Sequence, residues 1–202
     1  MLYKILSILF VVFFRQLFRC EVKGVENIPL QGGMILAANH MSNWDPPLVA
    51  VFAPRPVSYM AKQELFDIPV FGTAIRSLYA FPVKRGAADR AAIKGAMQLV
   101  KQGMCLGLFP EGTRSKDGKM HRPEAGIGLI AAKTGVPVVP AAIIGTDRMF
   151  SKQEFFPKLQ LIYGQPVYFQ GDVRDRECLQ NFSQQIMDSV AELIKLNGNT
   201  HR

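Results

Sequence analysis

The sequence predicts an α/β domain: a mostly parallel, mixed central sheet flanked by helices, behind an apolar membrane-associating helix at the amino terminus. Three observations carry that expectation. From Gly24 onward, short apolar runs alternate with helical patterns, as βα units do. Residues 33–38 and 137–144 are apolar almost throughout, as strands covered on both faces are. And 202 residues, 49% of them hydrophobic, suit one domain with a sizeable core. There is no internal repeat, linker or low-complexity stretch. The chain divides into an amino-terminal helix, 1–20, and one globular domain, 21–202.

Residues 1–18 are dominated by Leu, Ile, Val and Phe, with Lys4 near one end and Arg15 and Arg19 near the other. The uninterrupted apolar stretch, 5–14, falls well short of the ~20 residues a spanning helix needs. As a helix, residues 2–18 would be roughly 25 Å long. Cations at both ends suit lipid phosphates, so the segment reads as an interfacial helix lying in one leaflet. A secretory signal would end in small residues, whereas this run ends in Phe13-Phe14-Arg15-Gln16-Leu17-Phe18. A helix buried in the protein core is the alternative, because hydrophobicity alone does not separate protein from lipid.

The remaining elements follow in order. Residues 33–38 read as a buried strand that ends at Asn39-His40. Asp45 followed by Pro46 predicts a helix start, with the carboxylate as N-cap and proline at N1. Residues 57–60 form a strand, 69–77 a helix and 79–83 another strand. Residues 87–102 have Ile93, Met97 and Val100 on one side and Lys94 and Lys101 elsewhere, an amphipathic helix. A strand at 106–109 runs into a loop, 110–123, rich in Gly, Lys and Arg. Residues 125–133 read as a small-residue helix and 137–144 as a buried strand. Residues 159–169, broken at Gly164-Gln165-Pro166, read as two strands. The terminal helix, 175–196, shows Leu179, Phe182, Ile186, Val190, Leu193 and Leu196 at helical spacing.

A net charge of +8 favours anionic partners. The first twenty residues hold three bases and no acid, and residues 55–101 hold eight bases against three acids. That placement points to lipid surface or a phosphorylated substrate. No basic helix with stacking aromatics and no zinc-finger spacing occurs, so nucleic acid is not an expected partner. Cys20, Cys105 and Cys178 are odd in number, widely spaced and without a CxxC pair, which argues against a disulfide framework or a cysteine zinc site and fits a reducing compartment. Cys105, in an apolar run, reads as a small buried hydrophobe.

Two stretches carry chemistry. His40-Met41-Ser42-Asn43-Trp44-Asp45 leaves the exit of one apolar run, and Phe109-Pro110-Glu111-Gly112-Thr113-Arg114-Ser115 leaves another. Asp45 can hold one imidazole nitrogen and leave the other to take a proton. No G-x-S-x-G elbow occurs and no cysteine neighbours the histidine, so the nucleophile belongs to the substrate, most naturally an alcohol. Taken alone, the pair also fits a loop histidine beside a capping aspartate. In the second stretch Gly112 lets backbone approach a ligand and Arg114 offers a planar fork for phosphate. Glu111 either accepts a substrate hydroxyl or holds Arg114. Lys62 and Lys84-Arg85 also follow predicted strand ends. If those strands are parallel neighbours, His40, Lys62, Arg85, Glu111 and Arg114 converge on one sheet edge, where ligands of open α/β sheets bind.

In order along the chain stand Asn39-His40-x4-Asp45, Lys62-x-Glu64-Leu65, Phe81-Pro82-Val83-Lys84-Arg85-Gly86, Phe109-Pro110-Glu111-Gly112-Thr113-Arg114-Ser115 and Val136-Pro137-Val138-Val139-Pro140. Over residues 20–170 this resembles the 1-acylglycerol-3-phosphate acyltransferase family of the glycerolipid acyltransferases, with Val22-x-Gly24-x-Glu26-Asn27-x-Pro29 as its lead-in. The resemblance implies transfer of a fatty acyl group from a thioester, acyl-CoA or acyl carrier protein, to the 2-hydroxyl of lysophosphatidic acid, giving phosphatidic acid. It implies His40 as general base and Asp45 as its orienting partner. Lys62, Arg85 and Arg114 are then candidates for the phosphate, Glu111 for the glycerol portion, and amides near Gly112, Thr113 and Arg114 for the oxyanion. Neither metal nor organic cofactor is expected. The implied partners are the thioester donor, the lysophospholipid acceptor and a membrane leaflet. The protein is expected at the cell membrane, peripheral or monotopic, with the catalytic domain on the cytoplasmic side. Alternatives are another lysophospholipid or a lyso-amino-lipid as acceptor, a thioesterase, and a non-catalytic anionic-lipid-binding protein.

Overall fold

A computed structural model of the chain describes residues 2–77, 79–83, 89–115 and 117–198. Seven strands form one sheet in the order β1-β7-β6-β2-β5-β3-β4. They are β1 (Glu21–Lys23), β2 (Met34–Ala38), β3 (Val57–Lys62), β4 (Phe81–Val83), β5 (Cys105–Leu108), β6 (Val138–Ile144) and β7 (Gln160–Tyr163). The run β6-β2-β5-β3-β4 is parallel throughout. β7 turns antiparallel against β6, and β1 lies parallel to β7. The mixed, mostly parallel sheet expected from the sequence is therefore present.

Alternation along β2 shows how helices cover both faces. Met34, Leu36 and Ala38 point into a cluster with Phe14 and Phe18 of α1 (Leu2–Phe18) and with Leu48 and Val49 of α2 (Asp45–Phe52). Ile35 and Ala37 point the other way, against α4 (Asp89–Lys101), α5 (Gly126–Thr134) and α6 (Arg176–Gly198) through Ala96, Ile130, Phe182 and Ile186. The short α3 (Phe71–Ser77) connects β3 to β4.

Four local differences from the sequence reading have physical causes. Residues 167–169 are no strand: Val167 makes a single antiparallel bridge to Val138, since Pro166 brings no N–H to extend a ladder. β1 has no strand signature of its own, and its pairing comes from β7 far along the chain. Asp45 opens α2 where expected, but its carboxylate does not cap that helix. Lys62 is the last residue of β3 rather than a residue beyond it. Arg85 and Lys84 lie outside the described residues, as does the side chain of Lys62.

α1 belongs partly to the core. Phe14 and Phe18 are fully buried, and Phe10 and Phe13 pack beside them. Ile5, Ile8, Leu9 and Val12, at i, i+3, i+4 and i+7, instead form an exposed apolar face. The helix thus buries one face in the protein and leaves the other exposed. No helix of the described residues is long and apolar enough to cross a membrane.

Arg55 accounts for one cation of the basic stretch. Its guanidinium donates to the carbonyls of Pro29 at 2.9 Å, Gly32 at 2.8 Å and Gly103 at 2.5 Å, tying three loops together.

Candidate active site

The carboxyl ends of β2, β5, β3 and β4 lie side by side, and the first two release the two stretches that carry chemistry. Past β2, Asn39 uses its amide twice on β6, donating to the Ile143 carbonyl at 2.9 Å and accepting from the Ile143 N–H at 2.8 Å. This buried clasp fixes the point from which the next residue, His40, leaves the sheet.

Asp45 organises everything from 40 to 45. Its Oδ2 accepts the N–H groups of Met41 and Ser42, both at 2.7 Å, and lies 2.9 Å from His40 Nδ1. Its Oδ1 accepts the Thr146 hydroxyl at 2.6 Å. Asp45 and Thr146 are buried, so each donor matters: in a site shut off from water a deserted one costs about 1–3 kcal/mol. A carboxylate already receiving three other donors imposes N–H on the imidazole Nδ1 and leaves Nε2 with its lone pair. Among the described residues Nε2 has no hydrogen-bond partner, and the side chain is 16% exposed.

An aromatic stack holds the ring flat. Phe109, which follows β5, lies parallel to His40 with centroids 4.0 Å apart, and Tyr59 of β3 lies parallel to Phe109 at 5.7 Å. Gly107 makes room for it, since a Cβ there would stand 2.3 Å from the Tyr59 ring. Burial pushes the Tyr59 hydroxyl well above its ordinary pKa, so the phenol stays neutral beside the site.

Glu111 is engaged by backbone donors and not by Arg114. Its Oε1 accepts the His40 N–H at 3.1 Å and its Oε2 the His121 N–H at 2.9 Å, and the residue is buried. It ties the 110–123 loop to the His40 turn, and no bond links it to Arg114 among the described residues. The Ser115 N–H completes the tie by donating to the His40 carbonyl at 2.9 Å. Gly112 turns the chain at φ +69° and spends its N–H on the Phe109 carbonyl. Thr113 and Arg114 stand exposed at the loop tip, and among the described residues their N–H groups have no acceptor.

Thr146, Tyr59 and the Asn39 clasp were not singled out from sequence. Thr146 had one readable signal: with Gly145 it leaves the apolar strand 138–144, as Asn39-His40 leaves 33–38. The thiols offer no rival nucleophile. Burial pushes those of Cys20 and Cys105 up to about 12, and a hydrogen bond to Asp175 raises that of Cys178. Among the described residues no group of three or more His, Cys, Asp or Glu is placed to hold a metal ion.

A proton acceptor, backed by a buried acid at the carboxyl edge of a parallel sheet and with no hydroxyl or thiol bonded to its Nε2 among the described residues, fits group transfer to a substrate alcohol. Comparison with known proteins gives the class. The acyltransferase family model matches residues 19–144, more than half of the chain, and the chain belongs to that family. Within it, the chain is similar to 1-acyl-sn-glycerol-3-phosphate acyltransferases, the resemblance already carried by the ordered motifs. The enzyme of that name from Bacillus subtilis (strain 168) is 36% identical over 152 residues, 73% of this chain and 73% of that protein. A chloroplastic enzyme of that name from Brassica napus is 36% identical over 135 residues, 65% of this chain but 39% of its own length. The crystal structure of the 1-acyl-sn-glycerophosphate (LPA) acyltransferase PlsC from Thermotoga maritima superposes with a TM-score of 0.72. It is 33% identical and covers 95% of this chain and 79% of that one.

Proposed function

We propose that the protein transfers a fatty acyl group from an acyl thioester to the sn-2 hydroxyl of 1-acyl-glycerol-3-phosphate, giving phosphatidic acid and a free thiol. The observation that carries this is the His40–Asp45 pair, aimed and buried on one side, with Nε2 unbonded among the described residues on the other. Nε2 takes the hydroxyl proton as the oxygen attacks the thioester carbonyl. The tetrahedral intermediate then collapses, the C–S bond breaks, and the leaving thiolate takes the proton back from the imidazolium. No acyl-enzyme forms. The exposed amides of Thr113 and Arg114 are candidates for the oxyanion. The Arg114 guanidinium, with Lys62 and Arg85, is assigned to the acceptor phosphate, which orients the hydroxyl and supplies rate by positioning. Glu111 holds the loop that carries Thr113 and Arg114.

Thiol release, measured with acyl-CoA and with acyl-acyl carrier protein against a panel of lysolipids, tests this reading. Turnover is expected with lysophosphatidic acid and not without an acceptor. Arg114→Ala is expected to raise the acceptor KM by about tenfold or more, the scale of one charged hydrogen bond, with donor KM unchanged. Unaltered acceptor kinetics would remove Arg114 from the phosphate site, and acceptor-independent thiol release would make the protein a thioesterase.

Residues 1–20 act as the membrane element and 21–202 as the acyltransferase domain, which faces the cytoplasm, where the thioester arrives. The exposed face of α1 with Arg15 and Arg19 beside it supports this. Deleting the helix is a poor test, because Phe14 and Phe18 belong to the core and losing a buried Phe costs about 3–5 kcal/mol. Replacing Ile8, Leu9 and Val12 together with Gln is expected to lower partition onto vesicles of phosphatidylcholine with phosphatidylglycerol by about 10²-fold. The melting temperature should hold. Wild-type partition in that variant would show that the helix is not the anchor.

A further inference from the structure

The segment between β6 and β7 does something that nothing above requires. Residues 148–156 are stitched to one another: the Phe150 N–H donates to the Phe155 carbonyl at 3.0 Å, Ser151 Oγ donates to the Glu154 carbonyl at 3.2 Å and accepts its N–H at 3.0 Å, and Arg148 pairs with Glu154. Phe150 is held at φ +59°, a conformation disfavoured for a bulky residue. The result of this internal ordering is to present rings outward. Phe150, Phe155 and Phe156 are all exposed, Phe155 to 56%, although they touch one another with centroids 4.9 to 6.3 Å apart.

That aromatic surface is continuous with α1 on one side and with the His40 turn on the other. Phe18 meets Phe150 at 5.4 Å and Phe156 at 5.6 Å, and Arg19 donates to the Phe156 carbonyl at 2.7 Å. Trp44, next to Asp45, meets Phe150 at 5.9 Å and Phe13 of α1 at 5.4 Å. Cations outnumber acids around it: Glu154 and Glu21 are paired to Arg148 and Lys158, and Arg15, Arg19 and Lys152 stand exposed against one further exposed acid, Asp147, at the start of the segment.

We propose that the loop 149–156 is a second lipid-contact surface, entering an anionic leaflet beside α1 and holding the His40 edge at a fixed angle to it. This rests on α1 as the membrane element. An apolar ring cluster rimmed mainly by exposed cations matches the interface between acyl chains and anionic headgroups. Two contacts at separate points fix an orientation, which one helix does not.

The test uses the full chain and the same vesicles. Phe155→Ser with Phe156→Ser is expected to lower partition by about tenfold or more. Turnover of a short-chain lysophosphatidic acid dispersed as monomers should stay at the wild-type level, which also shows that the variant is folded. Phe155→Leu with Phe156→Leu should restore most of the partition, since it is apolar area that enters the lipid. Wild-type partition in the serine variant overturns the proposal whatever α1 does. So does unchanged partition with a shift in oligomeric state, which would make the patch a self-association surface. Loss of partition in the loop variant, with none in the α1 glutamine variant, would instead sink α1 as the anchor.

Discussion

His40→Ala is expected to lower turnover by at least ~10²-fold, the scale for losing a general base, with the fold intact. The ring contributes one side-chain hydrogen bond, to Asp45, and one stacking face, to Phe109. Its backbone links to Glu111 and Ser115 survive the substitution. Thiol release at saturating donor and acceptor, with near-ultraviolet circular dichroism as the control, is the measurement. Near-wild-type turnover in a folded variant would refute the assigned base.

Asp45→Asn is expected to damage both rate and stability, and for one reason. The carboxylate receives four donors, and an amide keeps only one oxygen and adds donors of its own. Whichever way it turns, at least one buried N–H or O–H loses its acceptor, at about 1–3 kcal/mol for each. In a domain of this size that lowers the melting temperature by about 2–4 °C per kcal/mol. The imidazole also loses the acceptor that fixes its tautomer, and turnover is expected to fall by about 10²–10⁴. The pairing is checked by measuring thermal unfolding and turnover on the same preparation. A variant that melts lower yet turns over normally would confine Asp45 to the scaffold.

Much of this was legible from sequence where the cause is local. The strand at 34–38 and the helix at 176–198 announce themselves by apolar runs and spacing, and the edge where β2, β5 and β3 end side by side follows from parallel order. What escaped depends on partners remote in the chain. The Thr146 hydroxyl reaches an acid 101 positions earlier, and nothing in Gly145-Thr146 declares that meeting. Glu111 was expected at a ligand or an arginine because backbone N–H groups, the donors it meets, are invisible in a string of side chains. Asp45 was expected to cap its own helix, as an acid before proline usually does. It holds the ring nitrogen as expected, but the Met41 and Ser42 N–H groups and the Thr146 hydroxyl take the rest of it.

The three residues of β1 carry a consequence larger than their size. Glu21 pairs with Gln160, and Gln160 pairs with Ile144, the final residue of β6. Because β1 runs against the parallel strands, the residue that emerges from α1 is level with their outgoing ends rather than their incoming ones. Flip that polarity and the last turn of α1 would be delivered to the opposite pole, a full strand length from the imidazole. Strand direction at one rim therefore acts as an address label: it sets the last turns of α1, through Phe13, beside Trp44 and the His40 turn, while Ile8, earlier in the same helix, lies back against Ala53 and Pro54.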